Sequence, residues 1–486
     1  MDQVDLPEIQ RELFSILEEF FQRATGTTVL KFAEVDEFPA AVRKNAYQMA
    51  ACAADQIAAG RPQPYQWVTE TLRNFYAKYH SRIYKDIKSL GGAKLVLGGS
   101  SRFTPSHLAA TRKMLLYADT VLIPDPVLPW IETERSEEAF RLPQLLQQTF
   151  MLLHLKPLVD AHLPYPAIVV FPSWEKSLEE QDEETQAGLQ AIATDFFSFY
   201  LDKPFGTFQE VASYARNHES DFLNTVDTNH LFIAAGGELG ESLTDGLKRF
   251  KAEDATWMAS SFQERRSKMS DSLYVLEGIV RRLTPQYHLL ENASELVAQP
   301  MLAVEQPWHY YSLCAKMYSG KLEQNNLLEP STVSTLRALQ HSNLHWLGNV
   351  PIDALAELRK NNENETFRRQ LEGYTKILHE ADLDNINRVA AEVGHGLSAL
   401  LVSHQKEIQA IESKYNLLYA QSAVGGWVTL AAMLSPALAP FVASLSVSAL
   451  AIKYGTDKLS EVSERKKAAK SLMGVLASTR QKSSLP

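Results

Sequence analysis

The stretch that decides the fold is AKLVLGGSSRFTPSHLAATRKMLLYADTVLIPDP, residues 93–126. It opens with a short apolar run, Ala93–Leu97, continues through a loop rich in glycine and serine, and closes with a second apolar run, Thr120–Ile123. Between the loop and the second run, the apolar spacing predicts a helix over 105–118, with Pro105 at its first position. A strand, a helix and a strand in this order predict a parallel βαβ unit.

Two further apolar runs are expected to add strands to this unit. Ala167–Phe171 (AIVVF) stops at Pro172, and His230–Ala235 (HLFIAA) stops at Gly236. Short apolar runs closed by proline or glycine are typical of buried strands. Helical stretches separate the two runs. The sequence therefore predicts a mainly α protein with an embedded small α/β layer, a parallel βαβ sheet, over residues 93–240.

Helical periodicity dominates on both sides of the predicted layer. Leu13–Phe21 and Gln66–Leu90 repeat apolar residues every three or four positions within an N-terminal helical region, residues 1–92. Residues 241–365 return to the same periodicity, and Pro285 is expected to break the longest helical run there.

The C-terminal part of the chain is unusual in its charge. Residues 366–420 predict one long helix or a helix pair, with an apolar seam that requires a partner helix. Residues 415–452 carry no charged side chain, and Pro436 and Pro440 divide this run into halves that are each short for a bilayer span. We therefore expect residues 421–452 to form a hydrophobic helical hairpin.

Three interpretations of this hairpin stay open. It is a core element covered by the helical body, an element that enters a bilayer or forms an oligomer after a conformational change, or one kinked transmembrane span. The tail that follows, residues 453–486, has eight Lys or Arg against three Asp or Glu, which suits anionic lipid headgroups or the acidic body. The residues predicted to mediate assembly or membrane contact are Leu397, Ile411, Leu418, Trp427, Leu434, Phe441 and Leu450.

Charge and cysteine content disfavour several classes of function. The formal net charge of -10 disfavours binding of nucleic acid by the acidic body. The N-terminal segment is acidic and amphipathic, unlike a secretory signal, so we expect a cytoplasmic protein that is at most peripheral to the inner membrane. Cys52 and Cys314 lack Cys or His neighbours at metal-ligand spacing, and His341 and His345 lack a third ligand, so no metal site is predicted.

The loop Gly98–Arg102 (GGSSR) is the first candidate ligand site. It follows a strand and precedes a helix, where backbone N–H groups and the helix dipole hold anions, and Arg102 adds a charge-assisted hydrogen bond. Neither phosphate-loop spacing, Gly-x-x-x-x-Gly-Lys-Ser/Thr or Gly-x-Gly-x-x-Gly, is present, so glycines that serve only the turn are the alternative. The residues predicted to bind a ligand are Gly98, Gly99, Ser100, Arg102 and Asp125.

Asp125 lies between Pro124 and Pro126, directly after the second predicted strand. Because α/β proteins bind ligands at the carboxyl ends of their strands, a carboxylate here is suited to hold a cation or to act as a base. An Asx-type turn between the two prolines is the alternative. No catalytic motif of good specificity appears elsewhere, and the sequence identifies no cofactor.

Two segments carry a resemblance to other proteins. YADTVLIPDPVLPW (117–130) and NVPIDALAELRKNNENETFRRQL (349–371), together with the apolar run near the C-terminus, resemble uncharacterised bacterial proteins of the kind found near defence and mobile-element genes. The resemblance implies a bacterial defence setting and no catalytic residues.

These observations lead to two functional hypotheses. The first is a non-enzymatic interaction or assembly protein that uses the C-terminal hairpin to bind a protein partner, a second copy or, conditionally, a membrane. The second is an α/β enzyme or ligand-responsive protein that binds a nucleotide or phosphate ligand through the loop Gly98–Arg102 and Asp125.

Overall fold

The protein is mostly helical and contains a small parallel sheet, as the sequence predicts. The computed structural model describes residues 5–28, 59, 62–98, 103, 105–132, 138–172, 183–234, 237, 240–257, 268–303, 305–324, 347–348, 350, 352–361, 364–365 and 368. The predicted long helix over 366–420, the hairpin over 421–452 and the basic tail lie outside these residues, apart from Arg368.

Four parallel strands form the sheet, in the order β3-β2-β1-β4. They are β1 (Lys94–Gly98), β2 (Thr120–Pro124), β3 (Ile168–Phe171) and β4 (Gln299–Leu302). Val96 in the centre of β1 pairs with Leu122 of β2 on one side and with Pro300 of β4 on the other. The first three strands confirm the predicted apolar runs to within one residue at each end.

The helices of the described residues surround this sheet and extend beyond it. They are α1 (Leu6–Thr25), α2 (Pro64–Ser89), α3 (Pro105–Met114), α4 (Leu128–Glu132), α5 (Glu138–Leu153), α6 (Lys156–Asp160), α7 (Glu183–Tyr200), α8 (Phe208–Asn217), α9 (Glu219–Thr228), α10 (Leu243–Trp257), α11 (Asp271–Leu296), α12 (Glu305–Gln324) and α13 (Ile352–Lys360).

The buried side chains form two apolar cores. One core encloses the sheet and takes side chains from α1 to α6, the end of α11 and α13. The other is helical and lies among α7 to α12. Helix α11 serves both, since Leu283 is buried in the helical core and Leu289 in the sheet core. This helix therefore joins the two cores and leads directly into β4.

The order of the strands determines which helices share a face of the sheet. The chain moves from β1 to β2 in one direction along the sheet and from β3 to β4 in the opposite direction. Because connections between parallel strands are right-handed in nearly all proteins, α3 and α11 lie on opposite faces. The sheet is thus covered on both sides, as a parallel sheet requires.

A side-chain amide protects the outer edge of β3. Gln10 of α1 is buried, and its Nε2 donates to the Val170 carbonyl at 3.0 Å. The Val170 N–H donates to Gln10 Oε1 at 2.8 Å. The amide thereby makes both hydrogen bonds of a neighbouring strand residue, which prevents this edge from pairing with another chain.

Asp119 joins the amino edge of the sheet to a distant segment of the chain. Its carboxylate accepts hydrogen bonds from the Ala93 N–H (2.7 Å) and from Asn364 Nδ2 (2.7 Å), and it forms an ion pair with Arg368 (3.1 Å). Arg368 also donates to the Tyr117 carbonyl at 2.7 Å. The two stretches that carry the resemblance, 117–130 and 349–371, therefore contact each other in the fold.

Arg359 of α13 strengthens the same connection from a buried position. Its guanidinium donates to the carbonyls of Leu115 (3.3 Å), Ala118 (2.6 Å) and Asp119. These carbonyls follow the carboxyl end of α3, where a cation is favoured by the helix dipole. Burial lowers the pKa of Arg359 to about 10, so the group stays charged at neutral pH.

The predicted strand His230–Ala235 is wrong, because Leu231–Ala234 is irregular backbone outside the sheet. The Ile233 N–H donates to the Tyr310 hydroxyl at 3.0 Å. Phe232 packs against Phe250 in the helical core. The apolar run is therefore buried by helices, an outcome that a short apolar run allows equally well.

The predicted break at Pro285 is also wrong, because α11 runs without interruption from Asp271 to Leu296. A proline inside a helix costs about 3 kcal/mol through its missing N–H and its ring. The flanking residues Leu283 and Leu289 are each buried in a different core. Burial of a leucine contributes about 1.5–3 kcal/mol, so the two flanks together offset the cost of the proline.

The strand β4 lies outside the predicted 93–240 layer and contains Pro300. Proline is tolerated in a strand at the edge of a sheet, and β4 is such a strand. The central position of β1 in the sheet therefore depends on a segment that lies two hundred residues further along the chain.

Candidate functional site

The sheet order places a topological switch point between β1 and β4. The chain leaves β1 toward β2 on one side, and it reaches β4 on the other side of β1 from β3; α/β proteins bind ligands outside the carboxyl ends of strands where the strand order reverses in this way. Gly98, at the end of β1, pairs with Leu302 at the end of β4. The predicted loop starts at Gly98, so it begins at this switch point. Gly99, Ser100 and Arg102 lie outside the described residues.

Gly98 has a packing role that explains its identity. A Cβ atom at this position would lie 2.4 Å from Leu289 Cδ1 and 2.8 Å from Cδ2, closer than carbon atoms approach. Leu289 of α11 therefore occupies the space above the end of β1 on one face of the sheet. A ligand at the switch point must approach from beyond the strand end or from the face that α3 covers.

Phe103 anchors the far end of the loop. Its side chain is buried, and its N–H donates to Oε1 of Gln148, a buried residue of α5, at 2.9 Å. The Phe103 ring also lies 6.1 Å from the ring of His107 in the first turn of α3. Burial lowers the pKa of His107 to about 4, so this imidazole is neutral near pH 7.

Asp125 lies at the same carboxyl edge, one strand away, but its carboxylate is bonded within the protein. It is 3% exposed. It accepts hydrogen bonds from the Tyr76 hydroxyl of α2, from the Val127 N–H (2.7 Å) and from the Leu128 N–H (3.4 Å). This geometry is the Asx-type turn that the two prolines suggest, placed so that it caps α4.

The environment of Asp125 favours its protonated form. Burial raises the pKa of Asp125 above its ordinary value of 3.8, and the hydrogen bonds from Tyr76 and the two backbone N–H groups lower it in part. The structure therefore brings Gly98 and Asp125 to one edge, as the sequence predicts, but encloses the carboxylate behind Tyr76. The carboxylate therefore has almost no surface that a ligand could contact.

The described residues contain no arrangement suited to a metal ion. No group of three His, Cys, Asp or Glu side chains among them is placed to coordinate one. Cys314 is a buried free thiol of the helical core, and burial raises its pKa to about 12. His341, His345 and Cys52 lie outside the part of the chain that the structure describes.

A separate cleft of about 500 Å³ lies among α9, α10 and the start of α11. Apolar and polar side chains both line it, and its two aspartates are bonded within the protein. Asp227 accepts the Leu243 N–H at 2.9 Å, and Asp271 forms an ion pair with Lys251 at 2.6 Å. None of the residues predicted from the sequence to bind a ligand lines this cleft.

The residues predicted to mediate assembly, from Leu397 to Leu450, lie outside the described residues. Within the described residues, no helix combines the length and the apolar character that crossing a bilayer requires.

No protein-family model, curated protein or solved structure matches this chain.

The contact between Gly98 and Leu289 predicts a measurable coupling. Gly98→Ala should lower the free energy of unfolding by about 1–3 kcal/mol, because the new methyl group meets Leu289. Leu289→Ala alone should cost about 2–5 kcal/mol through the cavity that it leaves. That cavity accommodates the methyl group. The loss of unfolding free energy in the double variant should therefore be smaller than the sum of the two single losses, by about 0.5 kcal/mol or more.

Urea denaturation of the four proteins measures this coupling. Gly206→Ala is a matched control, since the nearest atom to its Cβ would lie 3.6 Å away, and it should change stability by about 0.5 kcal/mol or less. Strictly additive losses in the double variant would contradict the contact.

The buried carboxyl of Asp125 predicts a dependence of stability on pH. Between 3.8 and the raised pKa of the folded protein, the unfolded chain has lost a proton that the folded chain retains. Raising the pH through this window therefore lowers the free energy of unfolding. Asp125→Asn keeps an oxygen that accepts the Val127 N–H but does not titrate, so its stability should fall less over the same window. Urea denaturation from about pH 4 to about pH 8 measures both slopes, and equal slopes would contradict this role.

Proposed function

We propose that this protein binds a small anionic ligand of phosphate or nucleotide type at the carboxyl edge of its sheet, between β1 and β4. The observation that supports the proposal is the strand order β3-β2-β1-β4, which puts the reversal of strand order beside Gly98, the residue at which the loop begins. The sequence singles out this loop by its composition, and the sheet topology favours the same place for an independent reason.

The chemistry of the loop suits an anion. Gly99 has no side chain to keep a ligand away from the backbone, and Arg102 offers a fork of N–H donors for phosphate oxygens. The ten-residue helix α3 begins at Pro105, and its first turn carries the positive end of the helix dipole.

The sequence predicts that Asp125 also binds the ligand, but its burial leads us to leave it out of the proposed site. Because its carboxylate is bonded to Tyr76 and to its own turn, we assign ligand contact to Gly99, Ser100, Arg102 and the start of α3. The ligand is thus held through its phosphate oxygens. In many dinucleotide-binding folds, a carboxylate at the end of β2 binds a ribose hydroxyl. We assign no such contact to Asp125.

A thermal-shift screen with ATP, GTP, pyrophosphate and inorganic phosphate, each with and without Mg²⁺, tests the proposal. A ligand at about a hundred times its dissociation constant should stabilise the protein by about 2.7 kcal/mol. Arg102→Ala should abolish the shift, whereas Asp125→Asn and the distant, exposed Arg216→Ala should keep it. A folded wild-type protein that shows no shift with any of these anions would contradict the proposal.

A second function is favoured by the uncharged run 415–452 and the seam that precedes it. We propose that this region mediates assembly with a partner protein or a second copy, or conditional contact with a membrane. The run is long, apolar and followed by basic residues, which supports this role. The resemblance to bacterial proteins near defence genes would place such an assembly in a cytoplasmic antiviral response.

Deletion of residues 421–486 tests the second function. Loss of the hairpin should abolish self-association in analytical ultracentrifugation, or binding to vesicles with anionic lipids, because the apolar contact surface is removed. Deletion of residues 471–486 alone is the control and should retain both properties, since it leaves the run and most of the basic residues in place. A monomer that binds no vesicles both before and after the longer deletion would refute this role.

A further inference from the structure

We propose that the separate cleft among α9, α10 and the start of α11 binds a free amino acid with a large apolar side chain, held as a zwitterion. The residues that line the cleft come from these three helices, and none of them belongs to the sheet or to the loop Gly98–Arg102. Ligand binding here is therefore independent of the proposed anion site. The volume of the cleft, about 500 Å³, lies within the range of about 300–1,000 Å³ that is usual for small-molecule sites.

Hydrogen bonds and an ion pair fix the three helices around the cleft relative to one another. The Leu243 N–H, at the start of α10, donates to Asp227 Oδ1 of α9 at 2.9 Å. Lys251, about two turns further along α10, pairs with Asp271 of α11 at 2.6 Å. The second residue of α11 donates its N–H to Glu219 Oε1 of α9 at 3.1 Å. Each helix is thus bonded to the other two, and a cleft that is formed in advance loses less entropy when a ligand binds.

Three leucines give the cleft its apolar surface. Leu243 and Leu247 lie one turn apart on α10 and therefore share a face of that helix, and Leu223 lines the cleft from α9. Leu223 and Leu243 are only half-buried against the helical core, so part of each side chain remains exposed to a ligand. An apolar side chain that covers this surface removes apolar area from water, which favours binding.

Two opposite charges in the lining have no charged partner among the described residues. Lys248 of α10 forms no ion pair there, and the carboxylate of Asp227 is bonded to a backbone N–H alone. The other two charges in the lining, Lys251 and Asp271, pair with each other. An amphipathic anion would match Lys248 and leave Asp227 without a counter-charge, and an amphipathic cation would do the reverse. A ligand with one group of each sign matches both.

An α-amino acid has this combination of groups. Its carboxylate can accept a charge-assisted hydrogen bond from the Lys248 ammonium, and its ammonium can donate to Oδ2 of Asp227. Asn224 and Thr244, which also line the cleft, add an amide and a hydroxyl that can bond to the same two groups. Because exposed ion pairs contribute little on their own, binding also requires a large apolar side chain against the leucines.

Isothermal titration of the full-length protein with L-phenylalanine and L-leucine tests this assignment. 3-Phenylpropionate lacks the ammonium group of phenylalanine and phenethylamine lacks its carboxylate, so each should bind about fivefold or more weakly than phenylalanine. Lys248→Met removes the ammonium and keeps an apolar stem, and Asp227→Asn keeps an oxygen that accepts the Leu243 N–H. Each variant should weaken phenylalanine binding by a similar factor. Lys85→Met, which replaces an exposed lysine of α2, is the control and should bind like the wild type.

The wild type and the exposed variant are sufficient to decide the assignment. A wild type that binds neither amino acid at millimolar concentration would overturn it. Equal affinity for phenylalanine and 3-phenylpropionate, or unchanged phenylalanine binding in Lys248→Met, would overturn it as well. Lys248 is exposed and contributes little to packing, so this variant remains informative even if Asp227→Asn does not fold. A protein that binds phenylalanine but no phosphate anion would refute the proposed anion site and support this one.

Discussion

The pairing of β1 with a neighbour on each side is the constraint on which the structure depends. Val96 pairs with β2, which follows after one helix, and with β4, which follows helices α7 to α11 of the helical core along the chain. Helix α11 connects the two cores, since it is buried in the helical core at Leu283 and in the sheet core at Leu289. Its contact with Gly98 fixes the end of β1. The switch point therefore exists only when both cores are formed.

Sequence reasoning succeeded where local chemistry is decisive. Apolar runs closed by proline or glycine identified β1 to β3, and periodic spacing identified α1 and α2. It failed where distant partners decide the outcome. The sequence does not predict β4, because Pro300 disfavours a strand except at the edge of a sheet. That β4 is an edge strand is known only from the assembled sheet. Helix α11 ends at Val297 in the left-handed region (φ 51°), a conformation that a β-branched residue rarely adopts, so the sequence contains no signal for that helix end.

Some features of the candidate site could be predicted from the sequence, and others could not. That Gly98 and Asp125 share an edge follows from the βαβ order, which the sequence shows. That Tyr76 encloses Asp125 and that Gln148 holds Phe103 depends on helices from elsewhere in the chain. One weak signal for Gln148 exists: a glutamine inside the apolar stretch of α5 indicates a buried polar group that needs a partner. At the opposite edge, Arg359 and Arg368 donate to the Ala118 and Tyr117 carbonyls of the turn between α3 and β2.

The central claim is that an anion binds at the carboxyl edge of the sheet, at the loop between β1 and α3. Hydrogen–deuterium exchange of the full chain, with and without the anion that gives the largest thermal shift, tests this claim most directly. The account predicts slower exchange in peptides that cover residues 98–110, and unchanged exchange in α9 and α10 around the separate cleft. Protection confined to the cleft, or no change over residues 98–110 when the anion is bound, would contradict it.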